Sequence, residues 1–384
     1  MKRVLLITVM TVSLSVGMAF LGSCPVCAGT VEDLYKRVEQ LEETVKKQEE
    51  GTKNPFSALG EKVTFSGAIE LDYSYTDPED VTDQNSDSTS DLDVGTFELG
   101  VDARFYEWVT GNVILKGENL DDDDRVFWDE VTITIQKEGF PLYFVGGKRA
   151  QPFGVFNSHL ISDPITQDCY KVAKSGATVG LTHDFLGLDV SATLYKGEVL
   201  ADKLSESGYG WERDPNPNPD PTDDVSSYIL NISMVPFEGA RLNAYFDSEP
   251  GQGDRNETAG GAIEYTVGPV IFDAEYITAL NREKNVTANK KYKESAWFVA
   301  IAYQVVDSLE LAARYEAFED DQDGDQDGYL EDRYLIGTNY TFFENDNIST
   351  VLMFEYRRSN YEKSVSSTAH NKANEFFAKM AIEF

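Results

Sequence analysis

Apolar and polar residues alternate along most of this chain after residue 61. In VTFSGAIELDYSY, which starts at Val63, the odd positions are apolar, aromatic or glycine, and the even positions are mostly polar. The segments TFELGVDARF, LDVSATLY and LELAARYEAF repeat the pattern. A period of two predicts β-strands that present one apolar and one polar face.

About sixteen such segments follow one another, each about as long as a tilted strand needs to cross a bilayer. The last segment, NEFFAKMAIEF, ends on the aromatic residue Phe384. First and last strands must pair, because an open edge is not tolerated in lipid. We therefore predict an all-β fold, a transmembrane antiparallel β-barrel, with strands near 62–76, 93–107, 110–119, 126–137, 142–154, 174–183, 188–198, 225–236, 240–248, 260–267, 270–280, 295–304, 309–318, 332–342, 348–359 and 373–384.

The connections between these segments alternate between short turns and longer polar loops, which is typical of outer-membrane barrels. A soluble β-solenoid or sandwich is the alternative, although a solenoid should show a repeated motif and none is visible. Aromatic residues beside the short turns favour an interfacial girdle, with candidates Phe105, Tyr106, Trp108, Phe237, Phe342 and Phe343.

The first 28 residues have the pattern of a secretory signal peptide. Two basic residues precede an apolar run from Val4 to Leu21, and Val26-Cys27-Ala28 resembles a cleavage site. A retained anchor and a lipoprotein site at Cys24 are the alternatives. Cleavage after Ala28 would leave Cys169 as the remaining cysteine, so the mature chain would form no internal disulfide. The protein is therefore predicted to be exported.

Residues 29–50 show a heptad spacing of apolar positions flanked by charge, which predicts a short coiled-coil helix. So short a seam is marginal alone and favours association with further copies, and a lone solvated helix is the alternative. Residues 51–61, GTKNPFSALGE, contain helix and strand breakers and are typical of a linker. The barrel is predicted to occupy residues 62–384.

The net charge of −34 argues against nucleic acid as a partner. Acidic runs such as DDDD at 121–124 predict solvated outer loops that share divalent cations with lipopolysaccharide. Near a channel mouth such acids raise the local cation concentration and repel anions, which counts against strict phosphate selectivity. Enzyme chemistry is not predicted, since His159, His183 and His370 fall in separate connections; a Ser/His hydrolase on the barrel stays an open alternative.

Several segments carry a family resemblance. The heptad segment, FSGAIELDYSYTD, SDLDVGTFELGVDARFYEWVTGNVIL, VFWDEVTITI, LYFVGGKRAQPFGVFNSHLISDPIT and the terminal Phe resemble LbtU-type siderophore porins, most closely between residues 62 and 200. A looser resemblance is to the phosphate-selective porin family. The resemblance implies an outer-membrane channel that passes ferric siderophores without an energised plug. It brings no functional residue with it.

The resemblance to sixteen-stranded porins also implies that the loop after the fifth strand, VFNSHLISDPITQDCYKV, folds into the lumen. Charges on this loop and across from it would create a transverse field that selects solutes. The alternative is that these charges pair and solvate a polar lumen. The candidate constriction residues are Asp163, Asp168, His159, Lys148, Arg149, Arg104, Lys116, Arg241 and Arg314.

A second candidate site is the motif D-x-D-x-D-G, formed by Asp323, Asp325, Asp327 and Gly328. Alternate carboxylates on a tight turn can converge on calcium, and Glu331 could add a ligand. Tyr334 stands where an EF-hand loop has its bidentate Glu, so binding at roughly millimolar strength is the expectation. A solvated acidic loop is the alternative. No cofactor is required, and structural calcium is optional.

These patterns together predict a porin in the outer membrane of a Gram-negative bacterium that passes small solutes passively. Ferric siderophore is the favoured solute by resemblance. The alternatives are a general cation-leaning diffusion porin and a structural barrel tethered through its coiled coil. Expected partners are membrane lipid, lipopolysaccharide, the barrel assembly machinery and further copies of the chain, for example in a trimer.

Overall fold

The computed structural model describes residues 62–79, 87–120, 125–206, 224–251, 253–284, 289–321, 330–361 and 372–384. The coiled-coil segment and the signal peptide lie outside these residues. The described residues form a closed antiparallel barrel in which each strand pairs with its neighbours in sequence. Its strands are β1 (Val63–Glu79), β2 (Thr89–Tyr106), β3 (Val109–Glu118), β4 (Arg125–Gln136), β5 (Leu142–Ala150), β6 (Ala173–His183), β7 (Leu188–Tyr195), β8 (Ser227–Phe237), β9 (Ala240–Glu249), β10 (Asn256–Val267), β11 (Val270–Asn281), β12 (Glu294–Val306), β13 (Leu309–Asp320), β14 (Leu330–Asn345), β15 (Ile348–Tyr361) and β16 (Lys372–Glu383).

The barrel closes where β16 pairs with β1, which confirms the predicted pairing of the terminal stripe. The register runs from Ala68 opposite Glu383 to Glu79 opposite Lys372. Beyond β16, the amide of Phe384 donates to the Gly67 carbonyl at 3.0 Å, and the Gly67 amide donates to the Phe384 carbonyl at 2.9 Å. These bonds satisfy the backbone groups that an open edge would leave unpaired.

The period of two determines which side chains face lipid and which face the lumen. On β1, Phe65, Ile69 and Leu71 are exposed on the outer face, whereas Glu70 and Asp72 point inward and contact Lys379. Aromatic pairs lie beside short turns, for example Tyr106 at the end of β2 and Trp108 in the turn between β2 and β3. The exposed apolar belt is explained by burial in lipid.

Two α-helices and one 3₁₀ helix interrupt the strand pattern in the described residues. Helix α1 spans Ile165–Tyr170, helix α2 spans Val199–Glu206, and the 3₁₀ helix spans Phe185–Gly187. Neither of the two α-helices was predicted from the sequence. None of the helices in the described part of the chain is long and apolar enough to cross a bilayer.

Strand β5 ends at Ala150, four residues earlier than predicted, because the chain turns into the barrel there. The Gln151 amide donates to the Val172 carbonyl at 2.7 Å, which joins the two ends of the loop. Phe153 then enters the interior and is fully buried. The apolar residues that had extended the predicted strand therefore pack inside the lumen instead of facing lipid.

An apolar core fills one side of the barrel interior. The loop between β5 and β6, which we call the inner loop (151–172), contributes Phe153 and Ile165, and helix α2 contributes Leu200 and Leu204. These side chains pack against inward-facing wall residues, among them Ile229, Tyr245, Ile277, Ala296 and Phe318. The inner loop thereby occupies the lumen along β8 to β15.

Candidate pore constriction

The inner loop lies against the barrel wall through bonds from its backbone to wall carboxylates. The amide of Val155 donates to Glu275 on β11 at 2.7 Å. The amides of Ile165 and Ser162 donate to Glu316 on β13 at 3.1 Å and Glu355 on β15 at 2.9 Å. Irregular backbone inside a membrane protein must find hydrogen-bond partners. The inward-facing acids of three strands provide them.

Side chains of the inner loop strengthen the same contacts. The Thr166 hydroxyl donates to Glu275 at 2.6 Å, and the Ser162 hydroxyl donates to Glu355 at 2.5 Å. Glu275 also accepts from the Tyr245 hydroxyl on β9 at 2.5 Å. Glu275 is only 3% exposed and Glu355 only 1% exposed. Charge-assisted bonds of this kind are stronger than neutral ones, so these acids hold the loop in place.

Arginines on the same wall are occupied by the inner loop and by acids. Arg314 donates to the Ser158 hydroxyl and to the carbonyls of Ser162 and Asp163, each at 2.9 Å. Its Nε lies 2.8 Å from Glu316, and neither side chain is more than 1% exposed. The inner loop thus covers a guanidinium that would otherwise face the lumen.

Two further arginines are paired in the same way. Arg333 bonds Glu316 and reaches Asp168 on helix α1 at 3.1 Å. Arg357 binds Glu375 on β16 through two bonds of 2.6 and 2.7 Å. Burial raises the pKa of Asp168 above its ordinary value, and Arg333 opposes that shift. The basic row on β13 to β15 is therefore neutralised locally.

The tip of the inner loop also makes an apolar contact with the wall. Leu160 is 6% exposed and packs with Ala302, Ala312 and Leu335. A Cβ on Gly337 would lie 2.5 Å from Leu160 Cδ2 and 2.7 Å from the Phe354 carbonyl oxygen, so a side chain at this position would force Leu160 to shift. This apolar contact holds the loop tip against the wall without the help of charged groups.

His159 on the loop tip lies between two wall carboxylates. Its Nε2 is 2.9 Å from Asp273 on β11, and its Nδ1 is 3.2 Å from Glu310 on β13. The bond to Asp273 raises the pKa of His159 above its ordinary value, and burial opposes part of that shift. The Asn339 side chain donates to the His159 carbonyl at 3.0 Å.

The wall across from the loop is acidic and more open. Side chains of Glu70, Asp72 and Glu98 are 22%, 34% and 34% exposed. A cavity of 270 Å³ separates Ile161 on the loop tip from this wall. By the register of β1 to β4, the inward acids of this open wall are Glu70, Asp72, Asp91, Asp93, Glu98, Asp102, Glu118 and Glu130.

Lysines of the open wall each lie between two carboxylates. Lys116 Nζ is 3.4 Å from Glu98 and 2.8 Å from Glu118. Lys379 Nζ is 2.6 Å from Glu70 and 3.5 Å from Asp72. The acids remain in excess around both lysines, so the open wall carries negative charge.

The structure brings together four of the nine predicted constriction residues. His159, Asp163 and Asp168 are on the inner loop, and Arg314 contacts that loop directly. Asp163 is exposed, so its carboxylate is accessible to water in the lumen. Whether these four residues define the narrowest point of the channel stays a prediction.

The other five predicted residues lie away from the loop tip. Lys148 donates to the Trp128 carbonyl at 2.5 Å, and Arg149 donates to Thr178 at 3.1 Å. Lys116 belongs to the open wall. Arg104 and Arg241 pair in register with Thr110 and Glu264. Their part in solute passage also stays a prediction.

The candidate calcium motif is described only at its end. Asp323, Asp325 and Asp327 lie outside the described residues, whereas Glu331 is exposed on β14. In the described part of the chain, no group of three or more His, Cys, Asp or Glu residues is arranged to hold a metal ion. Calcium binding at this loop therefore stays a prediction.

The acids that hold the inner loop were not predicted. They are Asp273, Glu275, Glu310, Glu316 and Glu355. Each occupies an inward position of an alternating strand, where an acid is also expected merely to solvate the lumen. The one signal in the sequence is the close spacing of acids in FDAEY, which places Asp273 and Glu275 at two successive inward positions of β11.

A closed sixteen-stranded barrel with an inward-folded loop after the fifth strand defines the protein as an outer-membrane porin. Residues 191–382 match the family described as phosphate-selective porin O and P, which is half of the chain. The chain belongs to this family. It is an outer-membrane channel for solute diffusion.

Solved porins share the fold at low sequence identity. The outer membrane channel DcaP of Acinetobacter baumannii is 13% identical with a TM-score of 0.57, covering 83% of this chain and 96% of that one. OmpF of Salmonella typhi, solved with daunomycin, is 13% identical with a TM-score of 0.59 over 84% of this chain and 97% of that one. The anion-selective porin of Comamonas acidovorans is 9% identical with a TM-score of 0.58, over 84% and 99%.

A sequence relative covers much of the chain. The UPF0422 protein of Coxiella burnetii is 25% identical over 325 residues, which is 81% of this chain and 67% of the relative. OmpT of Vibrio cholerae, solved in a trimer form, is 16% identical with a TM-score of 0.55, over 84% of this chain and 99% of that one. These likenesses agree with the porin fold and assign no solute to this chain.

Proposed function

We propose that this porin is a passive, cation-leaning diffusion channel whose water path runs between the inner loop and the acidic open wall. The observation that carries the proposal is that basic side chains of the lumen wall are covered and paired, whereas acidic side chains of the open wall remain partly exposed to water. Arg314 and Arg333 are covered by loop groups and Glu316. The acids of the open wall remain partly exposed.

The exposed acids should favour the passage of cations over anions. A permeating ion exchanges part of its hydration shell for wall groups, so the sign of the exposed wall charge biases its entry. A cation passing the open wall meets Asp72 and Glu98, and an anion is repelled by them. Asp163, exposed on the loop side, adds a negative group opposite the wall. The path is therefore acidic on both sides.

Phosphate selectivity is less well supported, although the family carries that description. A phosphate site needs several basic donors that face the ion and are not neutralised by acids. Lys116 and Lys379 each contact two carboxylates, and Arg357 is bound to Glu375. Each of these cations is therefore neutralised by at least one acid, which does not favour phosphate binding.

Ferric siderophore is the second solute candidate, and it is favoured by the sequence resemblance alone. Its test is growth of a deletion strain on a ferric siderophore as the iron source, with the parent gene restored in the matched strain. Slower growth that the restored gene corrects would support siderophore passage. Equal growth of both strains would remove this candidate and leave the cation-leaning channel untouched.

We also propose that the channel works as a homo-oligomer, as the trimer form of OmpT suggests by analogy. The outer wall offers an apolar surface for contacts with copies or with lipid, including Leu230 and Ile263. Lipopolysaccharide and the barrel assembly machinery are the other expected partners. Cross-linking in mild detergent tests the oligomer: a monomer at all protein concentrations would contradict it.

The charge preference is tested in planar bilayers with a potassium chloride gradient. The reversal potential of the parent channel should show cation preference. The paired variant Glu98→Gln and Asp102→Asn should move it toward the anion side. Glu238→Gln, which removes one acid from an exposed turn, is the matched control and should leave it nearly unchanged.

Three outcomes would contradict the proposal. An anion-selective parent channel would show that the paired arginines still dominate the field. An unchanged reversal potential in the paired variant Glu98→Gln and Asp102→Asn would show that other residues select ions by charge. Absence of any conductance from correctly folded barrels would favour a structural role.

A further inference from the structure

His159 is the one inner-loop side chain whose two polar atoms both face wall carboxylates. Its Nε2 lies 2.9 Å from Asp273 Oδ2, and its Nδ1 lies 3.2 Å from Glu310 Oε1. Its side chain is 18% exposed, and Asp273 is 2% exposed at the side chain. A buried carboxylate at such a distance needs a donor.

Carboxylate oxygens accept hydrogen bonds and do not donate when ionised, so both ring nitrogens of His159 must carry protons to satisfy this geometry. A neutral imidazole has one N–H, and its other nitrogen would turn a lone pair toward a carboxylate. The arrangement therefore fits the imidazolium form and opposes the neutral one.

We propose that His159 is a positioning residue whose protonation fastens the loop tip to the wall, so that the width and steadiness of the channel depend on pH. The inference rests on the proposed channel function and goes beyond it, since it concerns control of the aperture. In the protonated state the tip is clamped to β11 and β13. In the neutral state one of the two clamps is lost.

The groups around His159 come from every strand packed against it, and most are acidic. Asp273 and Glu310 face the ring directly, and Glu264 on β10 pairs in register with Asp273. The basic group beside the histidine is Arg314, which donates to Ser158, whereas Arg241 lies two strands from Asp273, in register with Glu264. Loss of the proton therefore leaves a surplus of negative charge under the tip.

Other contacts keep the neutral loop from leaving the wall. Asn157 still donates to Asp273 at 3.1 Å, and Arg314 still holds the Ser162 and Asp163 carbonyls. The tip should consequently loosen without detaching. Single-channel recordings should show a larger and noisier conductance at high pH than at low pH.

The experiment is single-channel recording of the full protein at several values between about pH 5.5 and about pH 9, where histidine titrates and ordinary carboxyls do not. The parent should show a rise in conductance and in current noise across this range. His159→Gln, which keeps a hydrogen-bonding side chain and cannot be charged, should show the high-pH behaviour throughout. His183→Gln, a change at the exposed end of β6, is the matched control and should retain the parent's response.

Heat-modified gel mobility shows whether each variant is a folded barrel before it is recorded. A parent conductance that is flat with pH, or a pH response that survives in His159→Gln, would overturn the inference. The reversal potential recorded on the same channels tests the cation preference separately. A pH response in an anion-selective channel would support the role of His159 and contradict the proposed cation preference. A cation-selective channel whose conductance does not change with pH would support the proposed function and contradict the role of His159.

Discussion

At the scale of single residues, Arg314 makes three hydrogen bonds from the wall to the inner loop. It joins Glu316 to three loop oxygens while almost fully buried. Removing one partner of a buried ion pair typically costs about 3–5 kcal/mol, and the loss here should lie toward the lower end of that range, because Arg333 still bonds Glu316. Arg314→Ala should therefore lower the free energy of unfolding strongly, measured by urea titration of tryptophan fluorescence in detergent.

The matched control is Arg104→Ala, which removes an exposed guanidinium near the end of β2. Exposed substitutions of this kind usually change stability by no more than about 0.5 kcal/mol. Arg333 continues to bond Glu316 in the Arg314 variant and should keep the barrel folded. Equal stability of both variants would mean that the Arg314 network does not hold the loop.

His159 makes the stability itself depend on pH. Its pKa is raised in the folded protein, chiefly by the bond to Asp273, so folding favours its protonated form. The contribution is fully present below the ordinary value of about 6.5 and is lost as pH rises through the raised folded value. The unfolding free energy of the parent, minus that of His159→Gln, should fall with rising pH over this window. A difference that grows with pH would contradict the assignment.

The alternation of apolar and polar residues predicts which acids face the lumen, but it does not predict which of them bind the inner loop. Asp72 and Glu316 both occupy inward positions of amphipathic strands, and no local pattern separates them. One is left facing water and the other is buried under the inner loop. The difference depends on where a loop distant in sequence comes to rest, which is a tertiary property.

At the scale of elements, the junction of β1 and β16 is the step that removes both strand edges. A Cβ at Gly67 would lie 2.5 Å from Phe384 Cζ and 2.8 Å from the Glu98 carbonyl oxygen. Overpacking of this kind costs about 1–3 kcal/mol. Gly67→Ala should therefore lower the unfolding free energy, measured by urea titration of folded barrels.

The double variant Gly67→Ala with Phe384→Ala separates the two clashes. Removing the ring relieves one contact, while the Glu98 backbone stays in place. The double variant should be more stable than the sum of the two single changes predicts, as neighbours in contact are not additive. Strict additivity would show that the ring moves aside at no cost.

The strands could be predicted because each carries its own periodicity, independent of the other fifteen. Helices α1 and α2 could not, since Ile165–Tyr170 is too short for a helical pattern and is stabilised by packing on the wall. The same reason explains the early end of β5. The sequence VGGKRAQPFG continues the strand pattern to Gly154, but Phe153 packs in the interior core and the strand ends at Ala150.

The inner loop can be tested as an element by deleting Asn157–Asp163, which removes His159 and the seat of Leu160 together. Three wall acids, Asp273, Glu310 and Glu355, would then face water. The conductance should rise and the cation preference should persist or increase, because acids are uncovered on the loop side as well. An unaltered conductance would mean that this loop does not narrow the channel.

At the scale of the whole molecule, the net charge of −34 predicts the sign of the field but not its source. The structure distributes the charge unevenly: basic groups such as Arg333 and Arg357 are tied to acids, whereas the open wall keeps exposed carboxylates. Screening then gives a test. The Debye length is about 30 Å at 0.01 M salt and about 3 Å at 1 M. An exposed wall should therefore lose influence over the path as salt rises.

The cation-to-anion permeability ratio, measured from reversal potentials at a constant ratio of salt concentrations, should fall as the absolute concentration increases. The paired variant Glu98→Gln and Asp102→Asn should begin from a lower ratio and depend less on salt, because fewer wall charges remain to be screened. If the variant kept the full salt dependence of the parent, the field would arise from acids outside the open wall. A parent ratio that rose with salt would contradict an electrostatic origin altogether, because screening can only weaken the attraction between exposed wall acids and passing cations.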